Sequence, residues 1–432
     1  MVFQSRRLSG EEMKYKGKRP ELVAPAGNYE KMLYASAYGA DAVYFGGTEF
    51  GLRVLAENFT FDDMVRAISY LHSMGRKAYI TMNIMARNGQ LKNIAGLAAK
   101  LDEAGADAFI VSDLGVLASV RSSIRRAAIH ISTQANVTNH KAAEMYHSLG
   151  AKRIILAREL SLDEITEIRH MLPAGIELEV FVHGAMCISY SGRCLLSSYM
   201  AYRDSNQGNC AQACRWKYSL MEERRPGEYY PVFEDENGSY ILNSMDLCLI
   251  DIADKLVEAG VDAFKIEGRM KSVFYVASVT RIYKEAIDSY IKGPDSYVPK
   301  ECWNEELRAV SHRKYTKGFS EGTPGPGSSV TYESSSYIRP YTFCGVVTGY
   351  DHEKQLLVVE QRNNFGSGDM LEIVTPDRGI IKYSVRELFD ENHEKTDRAP
   401  HPKMKLYLPY QGDAVPEYSL LRRKDDKGGN DV

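Results

Sequence analysis

The sequence has no long apolar run and little excess of charge of either sign. Its 54 lysines and arginines nearly balance its 57 aspartates and glutamates, so the formal net charge is −3. Such a balance gives no chain-wide signature of nucleic-acid binding. The first 20 residues carry six basic and two acidic side chains, but no apolar stretch of the length that a signal peptide or a membrane helix needs. We therefore expect a cytoplasmic protein without a membrane segment.

Cysteine is scarce, and its number is odd. Seven cysteines occur among 432 residues, a length that can bury a large core without covalent cross-links and that suggests two or three domains. Disulfide scaffolds are typical of short secreted chains with an even number of cysteines. The pattern therefore favours reduced thiols in a reducing compartment.

The motifs of common hydrolases are also missing. There is no Gly-x-Ser-x-Gly nucleophile elbow. Two His-Glu pairs, His352-Glu353 and His393-Glu394, lack the second histidine of a zinc protease helix. A cysteine protease with Cys187 as nucleophile and His183 as base is conceivable, but Cys187 also belongs to the cysteine cluster described below.

The sequence does contain a repeat of short apolar runs, each followed by a segment with helical periodicity. Eight such runs, rich in Val, Ile, Phe and Tyr, begin at Glu21, Ala42, Lys77, Ala108, Ala128, Arg153, Glu177 and Ala263. Glycines suited to ending a helix precede four of the runs, at Gly39, Gly105, Gly150 and Gly260. Eight parallel strands that alternate with helices over about 250 residues predict a TIM-like (β/α)₈ barrel rather than a doubly wound sheet.

The remaining segments define the predicted domain organisation. About 60 residues separate the seventh strand from the next helix and include Asn237-Gly238, a hairpin signal. The chain after the barrel is rich in Gly, Pro and Ser, and short strands without helices follow it. The expected parts are a basic N-terminal arm over 1–20, the barrel over 21–315 with an insertion at 185–243, a linker over 316–338, a small β-barrel over 339–420 and a frayed tail over 421–432.

Four of the seven cysteines cluster in the insertion after the seventh strand: Cys187, Cys194, Cys210 and Cys214. Loops that follow barrel strands build the active face of such a fold. Four thiolates can hold a zinc ion or a 4Fe-4S cluster. Zinc sites favour two close pairs, whereas six residues separate the first two cysteines here. The spacing leans toward a cluster, with four independent buried cysteines as the alternative.

Polar residues at the predicted strand ends are the candidates for a pocket. They are Asn83, Asp113, Gln134, Arg158, His183, Lys265, Glu267 and Arg269, with Glu179 predicted to face the barrel interior. Arginine and lysine could hold carboxylates there. Each candidate has a structural alternative as an interior salt bridge or a helix cap, and Lys265 with Glu267 is the pair that best suits a purely structural role. Arg193, Arg203 and Arg215 lie beside the cysteines, where they could tune a cluster or simply be solvated.

The segment EVFVHGAMCISYSGRCLLSSYMAYRDSNQGNCAQACRW closely resembles the signature region of the collagenase-like peptidase U32 family. The segments ELVAPAGNYEKMLYASAYGADAVYFGG, NSMDLCLI, FKIEGRMKS and QRNNFGSGDMLEI also match, so the resemblance covers nearly the whole chain. Within that family the sequence is most similar to the prephenate-dependent tRNA uridine 5-hydroxylation proteins.

The resemblance implies a function and a set of ligands. It implies 5-hydroxyuridine formation at the wobble position of tRNA, with prephenate as co-substrate. It also implies a 4Fe-4S cluster on Cys187, Cys194, Cys210 and Cys214, with zinc as the weaker alternative. Cys248 is a reserve ligand, although it lies in a stretch with the apolar spacing of a core helix.

We expect two groups of residues to serve this chemistry. The catalytic candidates are Glu179, His183, Lys265 and Glu267, and the substrate-binding candidates are Asn83, Asp113, Gln134, Arg158, Arg193 and Arg269. The basic arm, RWKY from Arg215 and EERR from Glu222 are candidates for contact with RNA. The rival functions are a peptidase of the U32 type and a non-catalytic RNA-binding subunit that works with a related subunit or a second copy.

Overall fold

The computed structural model describes residues 18–48, 50, 58–187, 189–215, 219–220, 230–231, 243–322, 330–331 and 337–425. Its first part contains the strands β1 (Glu21–Pro25), β2 (Ala42–Phe45), β3 (Lys77–Met82), β4 (Ala108–Val111), β5 (Ala128–Ile131), β6 (Arg153–Ile155), β7 (Glu177–Ala185), β8 (Ser219–Leu220), β9 (Tyr230–Pro231), β10 (Asn243–Ser244), β11 (Asp246–Cys248), β12 (Ala263–Ile266), β13 (Tyr315–Thr316) and β14 (Val330–Thr331). The helices are α1 (Tyr29–Ala37), α2 (Phe61–Ser73), α3 (Asn88–Glu103), α4 (Leu114–Ser123), α5 (His140–Ser148), α6 (Leu162–Met171), α7 (Leu196–Ala201), α8 (Ala253–Glu258), α9 (Val273–Lys292) and α10 (Glu301–Ala309).

The predicted (β/α)₈ barrel is confirmed. Strands β1 to β7 pair with their sequence neighbours in parallel, and β12 closes the ring by pairing with both β7 and β1. The short strands are apolar and buried nearly throughout, as strands covered on both faces must be. Helices around the ring begin at side-chain caps, such as Thr60 before α2 and Ser161 before α6, each with an acidic residue closing a capping box.

The second domain is an antiparallel sheet. Its strands are β15 (Tyr341–Asp351), β16 (Leu356–Gln361), β17 (Met370–Val374), β18 (Ile380–Ser384), β19 (Leu388–Phe389), β20 (Lys395–Thr396), β21 (Lys405–Pro409) and β22 (Leu420–Lys424). They pair in the order β18, β17, β22, β15, β16, β21, β19, β20. The expectation of short strands without helices is thus confirmed for the described residues from 337 to 425. This part of the chain has its own apolar core, which includes Leu357, Phe365 and Leu406.

Three local features differ from the expectations. The first residues of the tail predicted from 421 are ordered in a strand, because Leu420–Lys424 forms β22 between β15 and β17 in the sheet, whereas 426–432 lie outside the described residues. The linker predicted over 316–338 contains strand structure, since β14 pairs with β10. Cys248 does not lie on a helix but ends β11, which pairs antiparallel with the last residues of β7. The helical part of that stretch begins later, with the turn Ile250–Ile252 and α8. Cys248 is buried, as expected.

Several predicted features lie outside the described residues. They are the first 17 residues of the basic arm, the Trp-Lys-Tyr of RWKY, EERR and the Asn237-Gly238 hairpin. Among the helices that the structure describes, none combines the length and the apolar character needed to cross a membrane.

Ion pairs and aromatic contacts join the two domains. The guanidinium of Arg422 on β22 is buried and donates to Glu306 of α10 at 2.6 Å and to Glu372 of β17 at 2.8 Å. The Phe274 and Phe343 rings stack at 5.6 Å between their centroids. Helix α9, which carries Phe274, is therefore covered by the barrel on one side and by the sheet domain on the other, and its residues are mostly buried.

Replacement of Arg422 should destabilise this interface. Arg422→Ala would remove the cation that Glu306 and Glu372 share, while Glu306 keeps its pair with Arg281 at 3.0 Å, so we expect a loss of about 1 to 3 kcal/mol from the charged hydrogen bonds. Urea unfolding of the full chain should show this loss. The matched control is Arg423→Ala, since the neighbouring Arg423 is more exposed and pairs with Asp369 inside the sheet domain. Equal stability of the two variants would contradict the role assigned to Arg422.

Candidate functional site

A cavity of about 160 Å³ lies at the carboxyl ends of the barrel strands, under the insertion. All four clustered cysteines line it, together with six of the predicted pocket residues: Asn83, Gln134, Arg158, Lys265, Glu267 and Arg269. The carboxyl ends of the strands are where TIM barrels build their active sites. The structure therefore brings the cysteine cluster and the predicted pocket together at one place.

None of the four cysteines forms a disulfide, and each is half-buried. Sγ of Cys194 accepts the backbone N–H of Leu196, and Sγ of Cys210 accepts that of Gln212, both at 3.3 Å. Backbone donors of this kind stabilise a thiolate and tune an iron–sulfur cluster. Within the described ranges no three His, Cys, Asp or Glu side chains converge closely enough to hold a metal ion. The thiols thus surround the cavity rather than meet at one point, while their chemistry suits a soft metal or a cluster.

Hydrogen bonds fix the insertion to the barrel loops. The backbone N–H of Ser191 donates to Glu159 in the loop after β6 at 2.6 Å. On the opposite side, the N–H of Met85 in the loop after β3 donates to the carbonyl of Asn206 at 3.1 Å, and the Asn206 side chain donates to the carbonyl of Cys194 at 3.1 Å. The segment that carries the cysteines is therefore held at two separate points of the barrel mouth.

Three cations line the cavity wall. Nη1 of Arg269 donates to Oγ1 of Thr81 at 3.0 Å, and Nη1 of Arg158 donates to the carbonyl of Ala185 at 2.9 Å. The Arg158 guanidinium also lies over the Phe181 ring at 5.3 Å from its centroid, and Nζ of Lys265 lies 4.3 Å from the centroid of Tyr44. The wall can therefore attract an anionic molecule, and guanidinium groups suit carboxylates.

Below the cavity, the barrel interior contains a network of buried charges. The carboxylate of Glu179 accepts from Lys265 at 2.6 Å and from Arg153 at 3.0 Å. Arg153 also contacts Glu177 at 2.7 Å and Glu21 at 2.8 Å. Burial lowers the pKa of Lys265 despite the opposing effect of Glu179. Glu179 thus faces the interior as predicted.

The carboxylate that hydrogen-bonds Lys265 is Glu179, where the sequence had suggested Glu267. Glu179 lies on β7, which is the strand beside Lys265 in the barrel. Glu267 follows the end of β12 and lines the cavity. The pairing differs because the close carboxylate comes from a neighbouring strand and not from the same one.

Besides Glu179, three candidate residues lie outside the lining of the cavity. Asp113 caps α4 by accepting the N–H of Val116 at 3.0 Å. Arg193 donates to the backbone carbonyl of Gln134 at 2.8 Å, and so supports a residue of the lining. His183 is buried among Tyr275, Tyr283 and Tyr315, with ring centroids 5.2 to 5.9 Å apart.

A local irregularity in the barrel explains the position of His183. The pairing of β7 with β12 shifts in register between Lys265 and Ile266, so that Ile266 faces His183 although Lys265 faces Phe181. Such a bulge changes the side from which a strand presents its next residue. Strict alternation would have turned His183 toward the cavity with Phe181. Burial instead keeps it neutral and lowers its pKa to about 3.

Sequence reasoning missed several residues of this region. Thr81, Tyr44 and Phe181 line the cavity, and Arg153 is the centre of the charge network below it. Thr81 precedes Asn83 by two residues, and Phe181 follows Glu179 by two. Alternation along each strand could therefore have added both to the inward-facing set.

Comparison with known proteins places the chain in a family. The model of the family described as Peptidase family U32 matches residues 27–329, and that of the Peptidase family U32 C-terminal domain matches residues 339–422. The chain belongs to peptidase family U32. The two matches correspond to the barrel and to the antiparallel sheet.

Similar U32 proteins have names of two kinds. The tRNA hydroxylation protein P1 of Bacillus subtilis is 39% identical over 89% of this chain and 90% of its own length. The tRNA hydroxylation protein P of Escherichia coli is 37% identical over 94% and 97%. A collagenase of Porphyromonas gingivalis is 32% identical over 85% and 89%. Among solved structures, the U32 peptidase Mk0906 matches 59% of this chain and 96% of its own with 14% identity and a TM-score of 0.40.

The burial of His183 predicts a pH dependence of stability. The unfolded side chain gains a proton near pH 6.5, whereas the folded one stays neutral down to about pH 3. The stability from neutral His183 is therefore complete above pH 6.5 and is lost as the pH falls toward 3, by about 1.4 kcal/mol per pH unit. His183→Gln should flatten the free energy of unfolding between pH 6.5 and 4 in urea titrations. His170→Gln, at an exposed histidine on α6, should follow the wild-type profile; a His183→Gln profile as steep as that of the wild type would contradict the assignment.

Proposed function

We propose that this protein is a tRNA-modifying enzyme that forms 5-hydroxyuridine at the wobble position, in a prephenate-dependent reaction, at the cavity above the barrel. The observation that carries the proposal is the meeting of four cysteines and three cationic side chains around one cavity. Three relatives named tRNA hydroxylation protein, from B. subtilis, E. coli and Haemophilus influenzae, are 36% to 39% identical over roughly nine tenths of the chain. They support tRNA as the substrate and hydroxylation as the reaction.

We assign the four cysteines to a 4Fe-4S cluster, with zinc as the alternative. Cys187, Cys194, Cys210 and Cys214 would hold it, and the N–H donors at Cys194 and Cys210 would stabilise the thiolates. When bound, such a cluster supplies electron transfer beside the substrate. The hydrogen bonds between the barrel loops and the insertion would hold the thiols at the cavity.

The cationic wall is the proposed site for prephenate, which carries two carboxylates. Arg158 and Arg269 can each offer two parallel N–H donors to one carboxylate, and Lys265 adds charge at the floor of the cavity. Glu267 lines the same cavity and is suited to accept a proton there. Asn83, whose amide donates to Gln134 at 3.0 Å, can serve with it in hydrogen bonding to a polar substrate.

The similarity to a collagenase makes a peptidase the second candidate. A thiol protease would need Cys187 and His183 at one site. The cavity includes Cys187, whereas His183 is enclosed by three tyrosines outside the cavity lining. A non-catalytic RNA-binding subunit, assembled with a related subunit or a second copy, is the remaining alternative. Both alternatives predict that this chain, acting alone, leaves tRNA unmodified.

The nucleosides of bulk tRNA test the reaction. We expect a strain without this gene and without a paralogue to lose 5-hydroxyuridine derivatives, as measured by mass spectrometry. The wild-type gene should restore them, Cys187→Ala should not, and Cys302→Ala should, because Cys302 is exposed and lies outside the cavity. Unchanged 5-hydroxyuridine after deletion would refute the function. Cleavage of casein or collagen that is lost in Cys187→Ala would favour the peptidase.

The metal of the same variants tests the cofactor separately. Protein purified without oxygen should be brown and contain iron and sulfide, and Cys187→Ala or Cys210→Ala should lose both colour and iron. Cys248→Ala should keep them, since Cys248 is buried on β11 outside the cavity lining. Colourless wild-type protein with zinc would contradict the cluster.

Replacement of Arg269 should weaken the binding of prephenate. Loss of a charge-assisted pair with a carboxylate corresponds to about a 10- to 100-fold increase in KM. Arg269→Met should show this increase in a reconstituted reaction, with a much smaller change in kcat. The matched control is Thr81→Val, which removes the hydrogen-bond partner of Arg269 but keeps the cation. An unchanged KM in Arg269→Met would rule out Arg269 as a carboxylate ligand.

A further inference from the structure

Three large side chains on and beside α7, next to the cavity lining, project into solvent. Leu195 is 60% exposed, Tyr199 is 77% exposed and Tyr202 is 95% exposed. We call these three residues the tyrosine rim. Apolar and aromatic side chains grouped on a surface usually mark a site of interaction.

The rim shares its short helix with the wall of the cavity. Leu196 and Ser197 of α7 line the cavity, whereas Leu195 and Tyr199, which are four residues apart, lie on one face of the turn that is open to solvent. The rim and part of the cavity wall therefore belong to the same short helix and its two ends.

The backbone holds Tyr202 in an outward position. Tyr202 ends α7 in the left-handed conformation, with φ of 54°, and its N–H donates to the carbonyl of Ser198 at 3.0 Å. This conformation is unfavourable for a bulky residue. Packing of the ring does not offset the backbone strain, because the ring is almost wholly exposed. Strain without a packing benefit is a reason to look for a binding role.

The charge around the rim suits a polyanion. From Cys187 to Cys214 the chain has two arginines, Arg193 and Arg203, and one acidic residue, Asp204. Arg87 from the loop after β3 extends toward the same segment, with Nη2 3.9 Å from the Asp204 carboxylate, and is itself largely exposed. The chain as a whole has a net charge of −3, so this positive segment is a local feature.

We propose that the tyrosine rim stacks the bases of single-stranded RNA next to the nucleotide that enters the cavity. Exposed aromatic rings with neighbouring arginines are the common surface for unpaired bases. A modified base must leave its stack to reach a cavity, and its neighbours then need new stacking partners. The inference rests on the proposed function and extends it to the residues that hold the tRNA loop.

Binding of an anticodon stem-loop RNA tests the rim without requiring catalysis. The double variant Tyr199→Ala, Tyr202→Ala should raise the Kd by about 10- to 100-fold in fluorescence anisotropy with a labelled stem-loop. The matched variant Tyr199→Phe, Tyr202→Phe keeps both rings and should bind within about twofold of the wild type. Met145→Ala, at an exposed residue of α5, should bind as the wild type does. Iron content and circular dichroism should be the same in all four proteins.

The outcomes separate the inference from the proposed function. Rim-dependent binding of the stem-loop with no 5-hydroxyuridine formed would support the rim and refute the chemistry. Wild-type affinity in the Ala pair, or an equal loss in the Phe pair, would overturn the stacking role. A rim that contacts another protein copy would also overturn it, and would appear in sedimentation as a change of mass in the Ala pair with unchanged RNA binding.

Discussion

The buried ion network inside the barrel is the constraint on which the site depends. Arg153 on β6 binds Glu21 on β1 and Glu177 and Glu179 on β7, and Lys265 on β12 binds Glu179. These contacts cross the ring and join its last strands to its first. Burial alone would raise the pKa of Glu21, but Arg153, Lys77 and Tyr79 outweigh it and lower the pKa to about 2. Because these buried charges are paired, a shift of one strand against the next would leave a buried ion without its partner. The network therefore holds the strands in one arrangement.

The same network divides the barrel interior into two levels with different chemistry. Below, the acids and bases neutralise each other at short distances and exclude solvent. Above, Arg158 donates to the carbonyl of Ala185 and Arg269 donates to the hydroxyl of Thr81. Lys265 belongs to both levels, since it pairs with Glu179 and lines the cavity. The proposed anion site therefore lies above a floor whose charges are already paired.

Sequence periodicity could predict the barrel because its strands are short runs dominated by apolar residues and most of its helices begin at a side-chain cap or end at a glycine. It could also place six of the pocket candidates, since the end of a parallel strand always lies on the same face of the barrel. Sequence periodicity could not predict two features of the structure. The bulge near Lys265 that turns His183 outward leaves no sign in composition. The burial of Arg422 required knowledge of Glu306, which lies more than a hundred residues earlier in the chain.

The pairing of β7 with β11 has a consequence for how the cysteine segment relates to the rest of the chain. Ala185 is directly opposite Asp246, so the chain leaves the order of the barrel sheet and rejoins it at one pair of residues. The ring of strands closes through β12, whatever the length of the inserted segment. Lengthening a loop whose ends are already paired costs little additional conformational entropy. The cysteine segment is thus an insertion whose two ends meet at one residue pair of the barrel sheet. It can gain, lose or exchange length between the two paired residues while the register of the eight barrel strands stays the same.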